Sequence, residues 1–295
     1  RVAEPLRPGA TKGNAFEIIV RDLSAEEAEA AHARLPEAAR AGVPNYFDSQ
    51  RFGSLAGGRG FAARDLIAGR YEQALRDLLT GTYRGQDRME QSRREALASA
   101  WGDWARLAGS LPPGEARAVA CYLRDHPGAF SGALRSLAEG TRWQTLAAYQ
   151  SHLFNEMLGR FLRRSMPGGV EVEIRSGKLY FPLKTEPAAL SLNPWPLPRR
   201  GAVAPPGIDE DYRAVLEAEG IGMEDLRVAA ARLTFPKGER APWVLPEELK
   251  ASSASPDELN PGRQAITLAF ALPPGSYATV VVKRLTYDAG HTFRG

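Results

Sequence analysis

Alternating apolar and polar positions predict strands in three parts of the chain. Residues 16–20 alternate near the start, and residues 264–272 carry four apolar side chains on one face. Residues 170–174 and 179–181 flank a Ser-Gly turn, which is typical of a β-hairpin. The chain is therefore predicted to hold sheet near both ends and a separate hairpin between them.

The middle of the chain is predicted to be helical, because it lacks strand alternation and is rich in alanine, leucine and arginine. The clearest case is 144–163, where apolar residues recur along one face. Ser24 and Glu27 have the spacing of a capping box, so a helix is predicted to begin there and to end near Gly42. Further helices are predicted over residues 61–79, 89–108, 115–124, 209–219 and 223–231.

Residues 277–285 fit two structures. Their valines favour a strand, whereas Ser276 suits a helix N-cap and the apolar residues share a helical face. The helix is the preferred interpretation. Residues 44–54, 252–262 and the proline-rich 193–206 are predicted to be irregular.

Composition and charge exclude several classes of protein but select none. The 295 residues carry a net charge of only +3, which permits a nucleic-acid partner without identifying one. Cys121 is the single cysteine, so an internal disulfide is impossible and a reducing cytoplasm is expected. The four histidines make no metal-ligand pattern, and no apolar run approaches the roughly 18 residues that span a bilayer.

The strongest chemical candidate is the block at 45–53, Asn-Tyr-Phe-Asp-Ser-Gln-Arg-Phe-Gly. Three aromatic rings mixed with amide and guanidinium groups suit an unstacked nucleobase, because rings stack on its face while amides read its edge. The alternative is that the rings anchor the loop in the core.

Three other segments have weaker claims. The basic loop at 6–16 either contacts phosphates or is an ordinary surface loop. Polar residues at 150–155 either face a cleft or form the solvated side of a helix. Residues 272–279 either offer the free amides of a helix start to an anion or form a plain strand-to-helix junction.

Taken together, these segments resemble the TruD-type tRNA pseudouridine synthases. Four segments follow the order of that family: Lys-Gly-Asn-Ala-Phe at 12–16, the aromatic block, residues 150–155, and residues 272–285, which contain Pro-x-Gly-Ser-Tyr-Ala-Thr. The resemblance implies an α+β protein, in which a pseudouridine-synthase catalytic core of mixed sheet and helices carries an inserted, helix-rich α/β domain. The catalytic domain is predicted at 1–65 and 240–295, and the inserted TruD domain at 66–239.

The resemblance also implies a function. Such an enzyme isomerises a uridine in tRNA, uridine 13 in bacterial members, with an aspartate, base flipping and neither cofactor nor metal. A cytoplasmic protein with tRNA as partner is expected, and a monomer is favoured. The alternative is a non-catalytic RNA-binding relative without the aspartate, and an interaction scaffold would instead lack tRNA affinity.

The family's motifs identify the expected substrate-binding residues. Phe47 matches the ring that stacks on the target base, and Asn45 matches the asparagine that orients the aspartate or the base. The full set is Lys12, Asn14, Asn45, Tyr46, Phe47, Gln50 and Arg51.

The sequence departs from the family pattern at two acidic positions. The family's aspartate lies in a Gly-x-Lys-Asp-like segment before Lys12, but only eleven residues precede Lys12 here and none is an aspartate. No catalytic residue is therefore assigned within the chain, and the aspartate is expected upstream of Arg1. Asp48 replaces what is usually a glycine, either as an acid near the base or as a tolerated loop substitution.

Overall fold

The structure is a computed structural model that describes residues 12–53, 55, 60–82, 86–185 and 193–287. The predicted basic loop at 6–16 therefore lies partly outside the described residues.

The described residues form an α+β protein, which confirms the predicted fold class. The α-helices are α1 Ala25–Ala41, α2 Ala62–Ile67, α3 Tyr71–Thr80, α4 Arg88–Ser99, α5 Trp104–Ser110, α6 Glu115–Asp125, α7 Phe130–Ala133, α8 Glu139–Ser165, α9 Asp209–Ala218 and α10 Ala278–Thr286. The strands are β1 Asn14–Leu23, β2 Val43–Pro44, β3 Gly169–Ile174, β4 Gly177–Pro182, β5 Trp195–Pro196, β6 Arg227–Val228, β7 Leu233–Thr234, β8 Glu239–Arg240, β9 Trp243–Val244, β10 Glu247–Ala251, β11 Ser255–Pro256 and β12 Gln264–Leu272. Short 3₁₀ helices span Ser49–Phe52, Leu134–Ser136, Met223–Asp225 and Ala229–Ala231.

The chain divides into two compact units. The first comprises the described residues up to Asp48, Asn155–Trp195 and the described residues from Glu239 onward. The second comprises Ser49–Phe154 and Pro196–Gly238. These boundaries differ from those predicted for the catalytic and inserted domains, and the assignment of those two domains stays a prediction.

An antiparallel sheet forms the centre of the first unit. Its described strands run in the order β1, β12, β10, with β11 also pairing with β12. β12 has the predicted bounds, and its apolar face is buried in a core shared with α1 and α10. Burial of this face stabilises the unit, because each fully buried large apolar side chain contributes about 1.5–3 kcal/mol.

Local signals place the aromatic block at the end of α1. Ser24 and Glu27 form the predicted capping box, and Gly42 ends the helix with a positive φ of 81°. A Cβ on Gly42 would lie 2.5 Å from the Val244 carbonyl oxygen, so only glycine fits this close approach. β2 then pairs with β9, and Asn45 follows directly.

The second unit corrects three helix predictions. The predicted helix 61–79 is divided into α2 and α3, and 89–108 into α4 and α5, because Gly69 and Gly102 adopt positive φ between them. Residues 223–231 do not form one continuous helix. Arg227 and Val228 pair in a hairpin with β7, between the short 3₁₀ helices Met223–Asp225 and Ala229–Ala231. None of the helices within the described ranges has the length and apolar character needed to cross a bilayer.

A buried carboxylate, Asp257, holds the loop before β12. It accepts hydrogen bonds from the Arg21 guanidinium, the Asn260 side chain and the backbone N–H groups of Asp22 and Leu259. Burial alone would raise the pKa of the Asp257 carboxyl, but these hydrogen bonds outweigh burial and hold that pKa well below its usual range.

We therefore expect Asp257 to stabilise the fold in a pH-dependent way. A depressed pKa in the folded state contributes stability that is fully present above about pH 4, the ordinary carboxyl value, and is lost as the pH falls further. Asp257→Asn should lower the melting temperature at neutral pH and flatten its fall in acid. Thermal melts from pH 7 to acid, with the exposed neighbour Glu258→Gln as control, check this. Equal acid slopes in both variants would contradict the role of Asp257.

Candidate nucleotide-binding site

The first part of the aromatic block, Asn45 to Asp48, is buried in the first unit. Tyr46 is fully buried, donates from its hydroxyl to the Tyr180 carbonyl oxygen at 2.9 Å and meets the Phe181 ring edge-on. Burial raises the pKa of the Tyr46 hydroxyl far above its usual range, so this group stays protonated. Tyr46 has the surroundings of a core anchor, which was the alternative interpretation of this ring.

Helix α8 fixes the backbone of Phe47. The Asn155 side chain accepts from the Phe47 N–H at 2.9 Å and donates to the Phe47 carbonyl oxygen at 2.8 Å. Asn155 is 4% exposed, and Gln150 and Ser151 on the same helix are also buried. The alternative that the polar residues at 150–155 form a solvated face is therefore wrong for these three, because their polar groups bond backbone and neighbouring side chains.

Arg240 joins the aromatic block to the turn after β12. Its guanidinium donates to the Asn45 carbonyl oxygen at 2.6 Å, to Asn45 Oδ1 at 2.7 Å and to the Tyr46 carbonyl oxygen at 2.9 Å. It also donates to the Gly275 carbonyl oxygen at 2.8 Å. The same guanidinium lies over the Phe47 ring, 4.0 Å from its centroid, within the range of a favourable cation–π contact.

Tyr277 also contacts the Phe47 ring. The two ring centroids lie 6.1 Å apart at 66°, an edge-on arrangement, and Phe47 is only 8% exposed. The closing Pro-x-Gly-Ser-Tyr-Ala-Thr element and the aromatic block, about 230 positions apart along the chain, therefore meet at one ring.

A buried ion pair fixes Asp48. Its Oδ2 lies 2.7 Å from Lys283 Nζ on α10, and the two side chains are only 2% and 3% exposed. Asp48 therefore joins the buried first part of the block to α10. This contact agrees with a structural role for the aspartate at this position.

The start of α10 differs from the prediction in one respect. Tyr277 rather than Ser276 is the N-cap, and no side chain caps the helix. Ser276 instead belongs to the preceding turn, where its N–H donates to the Pro273 carbonyl oxygen.

Lys12 and Asn14 lie at the beginning of β1 and are exposed. They line a cavity of about 560 Å³ together with Ala241, Trp243 and Pro273. The Ala241 carbonyl oxygen also accepts a hydrogen bond from the Asn45 side chain at 3.0 Å. Ala241 therefore borders this cavity and contacts the aromatic block.

Gln50 and Arg51 belong to the second unit, in the 3₁₀ helix Ser49–Phe52. Gln50 is exposed, and Arg51 Nε donates to Ser151 Oγ at 3.0 Å. The Arg51 guanidinium lies 5.3 Å from the centroid of the Trp143 ring, which is 49% exposed. The expected roles of Gln50 and Arg51 in substrate binding stay predictions.

Three residues of this arrangement were not predicted as site residues: Arg240, Asn155 and Tyr277. Asn155 and Tyr277 lie in segments that the sequence singled out, so the signal for them was present. Arg240 lies in Lys-Gly-Glu-Arg at 237–240, which carries no recognisable pattern by itself. In the described part of the chain, no cluster of three or more His, Cys, Asp or Glu residues could hold a metal ion.

Comparison with known proteins identifies the class to which this arrangement belongs. Residues 1–173 and 196–285 match the family tRNA pseudouridine synthase D (TruD). The chain therefore belongs to the TruD family.

Individual relatives agree with this assignment. "Probable tRNA pseudouridine synthase D 2" of Methanocaldococcus jannaschii is 30% identical over 94% of this chain and 67% of its own length. "tRNA pseudouridine synthase D" of Aquifex aeolicus is 27% identical over 95% of this chain and 71% of its own length. A crystal structure of a TruD protein from Methanosarcina mazei matches with a TM-score of 0.68 and 26% identity, over 95% of this chain and 70% of that one.

Proposed function

We propose that the protein containing this chain is a tRNA pseudouridine synthase that isomerises a uridine, at position 13 of tRNA. The observation that carries the proposal is membership of the TruD family together with the Asn45–Phe47 arrangement. The reaction breaks the bond between the uracil N1 and the ribose C1′, turns the base and joins its C5 to C1′. Because the product is an isomer of the substrate, no second substrate is consumed.

The target uridine has to leave the base stack before this chemistry can occur, since its reacting atoms are enclosed in a folded RNA. In the proposed complex the extruded base stacks on Phe47, a contact worth about 1–3 kcal/mol per base. The hydrogen bonds of Asn155 and the Arg240 guanidinium support this role, because they fix the backbone and ring of Phe47 in advance.

Asn45 is proposed to orient either the base or the catalytic carboxylate. An asparagine side chain has two N–H donors and an oxygen with two lone pairs. Within the described part of the chain, its bonds with Ala241 and Arg240 use one of these donors and one lone pair, which leaves one donor and one lone pair for substrate.

The catalytic aspartate is proposed to come from residues preceding Arg1. The nearest candidate within the block, Asp48, supports this by exclusion, because its buried carboxylate faces Lys283 at 2.7 Å. A carboxylate held in that way is a poor nucleophile or base.

Pseudouridine formation in two tRNA transcripts tests the proposal. Full-length protein is incubated with a transcript labelled with tritium at uracil C5 and with a matched transcript that has cytidine at position 13. Tritium release is expected only from the first transcript, at one equivalent per tRNA, because C5 loses its hydrogen when it joins the ribose. Primer extension after carbodiimide treatment should map the product to position 13.

The two rival outcomes are distinct. Release from both transcripts would keep the synthase activity but remove position 13 as the target. Salt-sensitive tRNA binding without any release would instead indicate the non-catalytic relative.

A further inference from the structure

We propose that Arg240 is a positioning residue of the pseudouridylation site, acting through Asn45 and Phe47. This inference rests on the proposed function. It adds to that site a residue that lies outside the four segments in which the family's motifs were recognised. It is carried by the juxtaposition of one guanidinium with the carbonyl oxygens of Asn45 and Tyr46, the Asn45 side chain and the Phe47 ring.

Arg240 is held firmly by its neighbours in the first unit. Its four hydrogen bonds, to Asn45, Tyr46 and Gly275, involve all three of its guanidinium nitrogens at 2.6 to 2.9 Å. Arginine presents its donors in a rigid planar fork, so several acceptors fix its position and orientation together. The guanidinium is thus a fixed part of the site.

The Arg240 guanidinium positions the side chains of Asn45 and Phe47. The bond from Arg240 Nη2 to Asn45 Oδ1, together with the bond from Asn45 Nδ2 to the Ala241 carbonyl oxygen, sets the rotamer and the amide orientation of Asn45. The guanidinium also lies over the Phe47 ring, 4.0 Å from its centroid, so it covers one side of the ring and restricts its rotation. Both side chains expected to meet the base are therefore oriented by one group.

A lysine cannot replace Arg240 in this arrangement. An ammonium group offers three donors around one nitrogen and has no planar face for the ring. It cannot reach oxygens of Asn45, Tyr46 and Gly275 at once while covering Phe47. Arg240→Lys therefore keeps the positive charge but loses the planar group and the arrangement of donors that contact Asn45, Tyr46 and Gly275.

Arg263 provides a matched control in the same unit. It also makes four guanidinium hydrogen bonds, to Asp22 and Glu27. It directly precedes β12, at the opposite end of that strand from the turn that contains Gly275. Arg263→Lys therefore loses a comparable set of bonds without touching the aromatic block.

The experiment compares kcat, KM and thermal midpoints of the full-length wild type, R240K and R263K on the tritiated tRNA. R240K should lower kcat about 100-fold, the size expected when reacting groups are misplaced by about 1 Å, with KM changed less than about threefold. R263K should shift the thermal midpoint by a similar amount and leave kcat within about twofold of wild type.

A second variant, Asn45→Ala, keeps the inference testable even if R240K folds poorly. If Arg240 acts through Asn45, the two substitutions should be non-additive, and R240K should reduce kcat less in the N45A background than in the wild type. When R240K is unfolded, N45A alone should lower kcat about 100-fold while the protein stays folded at the assay temperature, and wild-type kcat in N45A would overturn the inference.

The outcomes separate the inference from the proposed function. An active wild type with R240K no slower than R263K, or with fully additive losses, overturns the role of Arg240 alone. A wild type that forms no pseudouridine removes the proposed function and this inference with it.

Discussion

Phe47→Leu is expected to lower kcat/KM on tRNA by about 5- to 150-fold, the equivalent of losing about 1–3 kcal/mol of base stacking. Leucine keeps most of the buried apolar volume but has no aromatic face. The ring is 8% exposed and packed against Arg240 and Tyr277, so truncation to alanine would confuse lost stacking with a cavity costing about 3–5 kcal/mol. The leucine variant should change the unfolding free energy by only about 1 kcal/mol.

Phe270→Leu is the matched control for this substitution. Phe270 is 4% exposed in β12 and packs against Phe16 with ring centroids 5.6 Å apart, so it has a comparable structural environment. Denaturant unfolding and steady-state kinetics on both variants should show similar stability and a loss of turnover only for Phe47→Leu. Equal activity losses would assign Phe47 a purely structural role.

Lys283→Met is expected to destabilise the protein by about 3–5 kcal/mol, because it removes the ammonium group that faces the buried Asp48 carboxylate. An unfolding free energy from denaturant titration measures the loss. Lys178→Met is the control, since Lys178 pairs with Glu171 on the surface with the side chains 54% and 41% exposed. Exposed pairs contribute at most about 1 kcal/mol, so this control should be nearly neutral.

The double variant Asp48→Leu with Lys283→Met tests whether the unpaired, buried Asp48 carboxylate causes the loss of stability. Replacing both partners of a buried pair with apolar groups is often neutral or stabilising, so the double variant should recover much of the loss. A double variant as unstable as Lys283→Met alone would show that the cost arises from packing around α10 rather than from the buried charge.

The sequence was most informative where a single local pattern decides the structure. The alternation of β12, the capping box of α1 and the long helix α8 were all predicted, because each depends on residues within a few positions of one another. Gly69 and Gly102 divide two of the predicted helices. The sequence did not reveal these breaks, because the residues on both sides of each glycine have a helical composition. The pairing of Arg227 and Val228 with β7 interrupts the predicted helix at 223–231 and limits helical structure there to two short 3₁₀ turns, which is a tertiary effect.

The candidate site shows the same division. The aromatic block was recognised from its own residue types, but the partners that orient it come from positions 155, 240, 277 and 283. Such contacts depend on the fold rather than on local spacing. Asp48 illustrates the consequence, since its carboxylate was open to two interpretations until Lys283 was found 2.7 Å away.

The central claim is that an extruded uracil stacks on Phe47 while Arg240 holds Asn45. A crystal structure of the full-length protein bound to a tRNA with 5-fluorouridine at position 13 tests it most directly. We predict that the fluorinated base lies about 3.5 Å from the Phe47 ring, the usual contact distance between carbon atoms, with the Arg240 bonds to Asn45 retained. A base bound elsewhere, with the Phe47 ring still enclosed by Arg240 and Tyr277, would contradict the account.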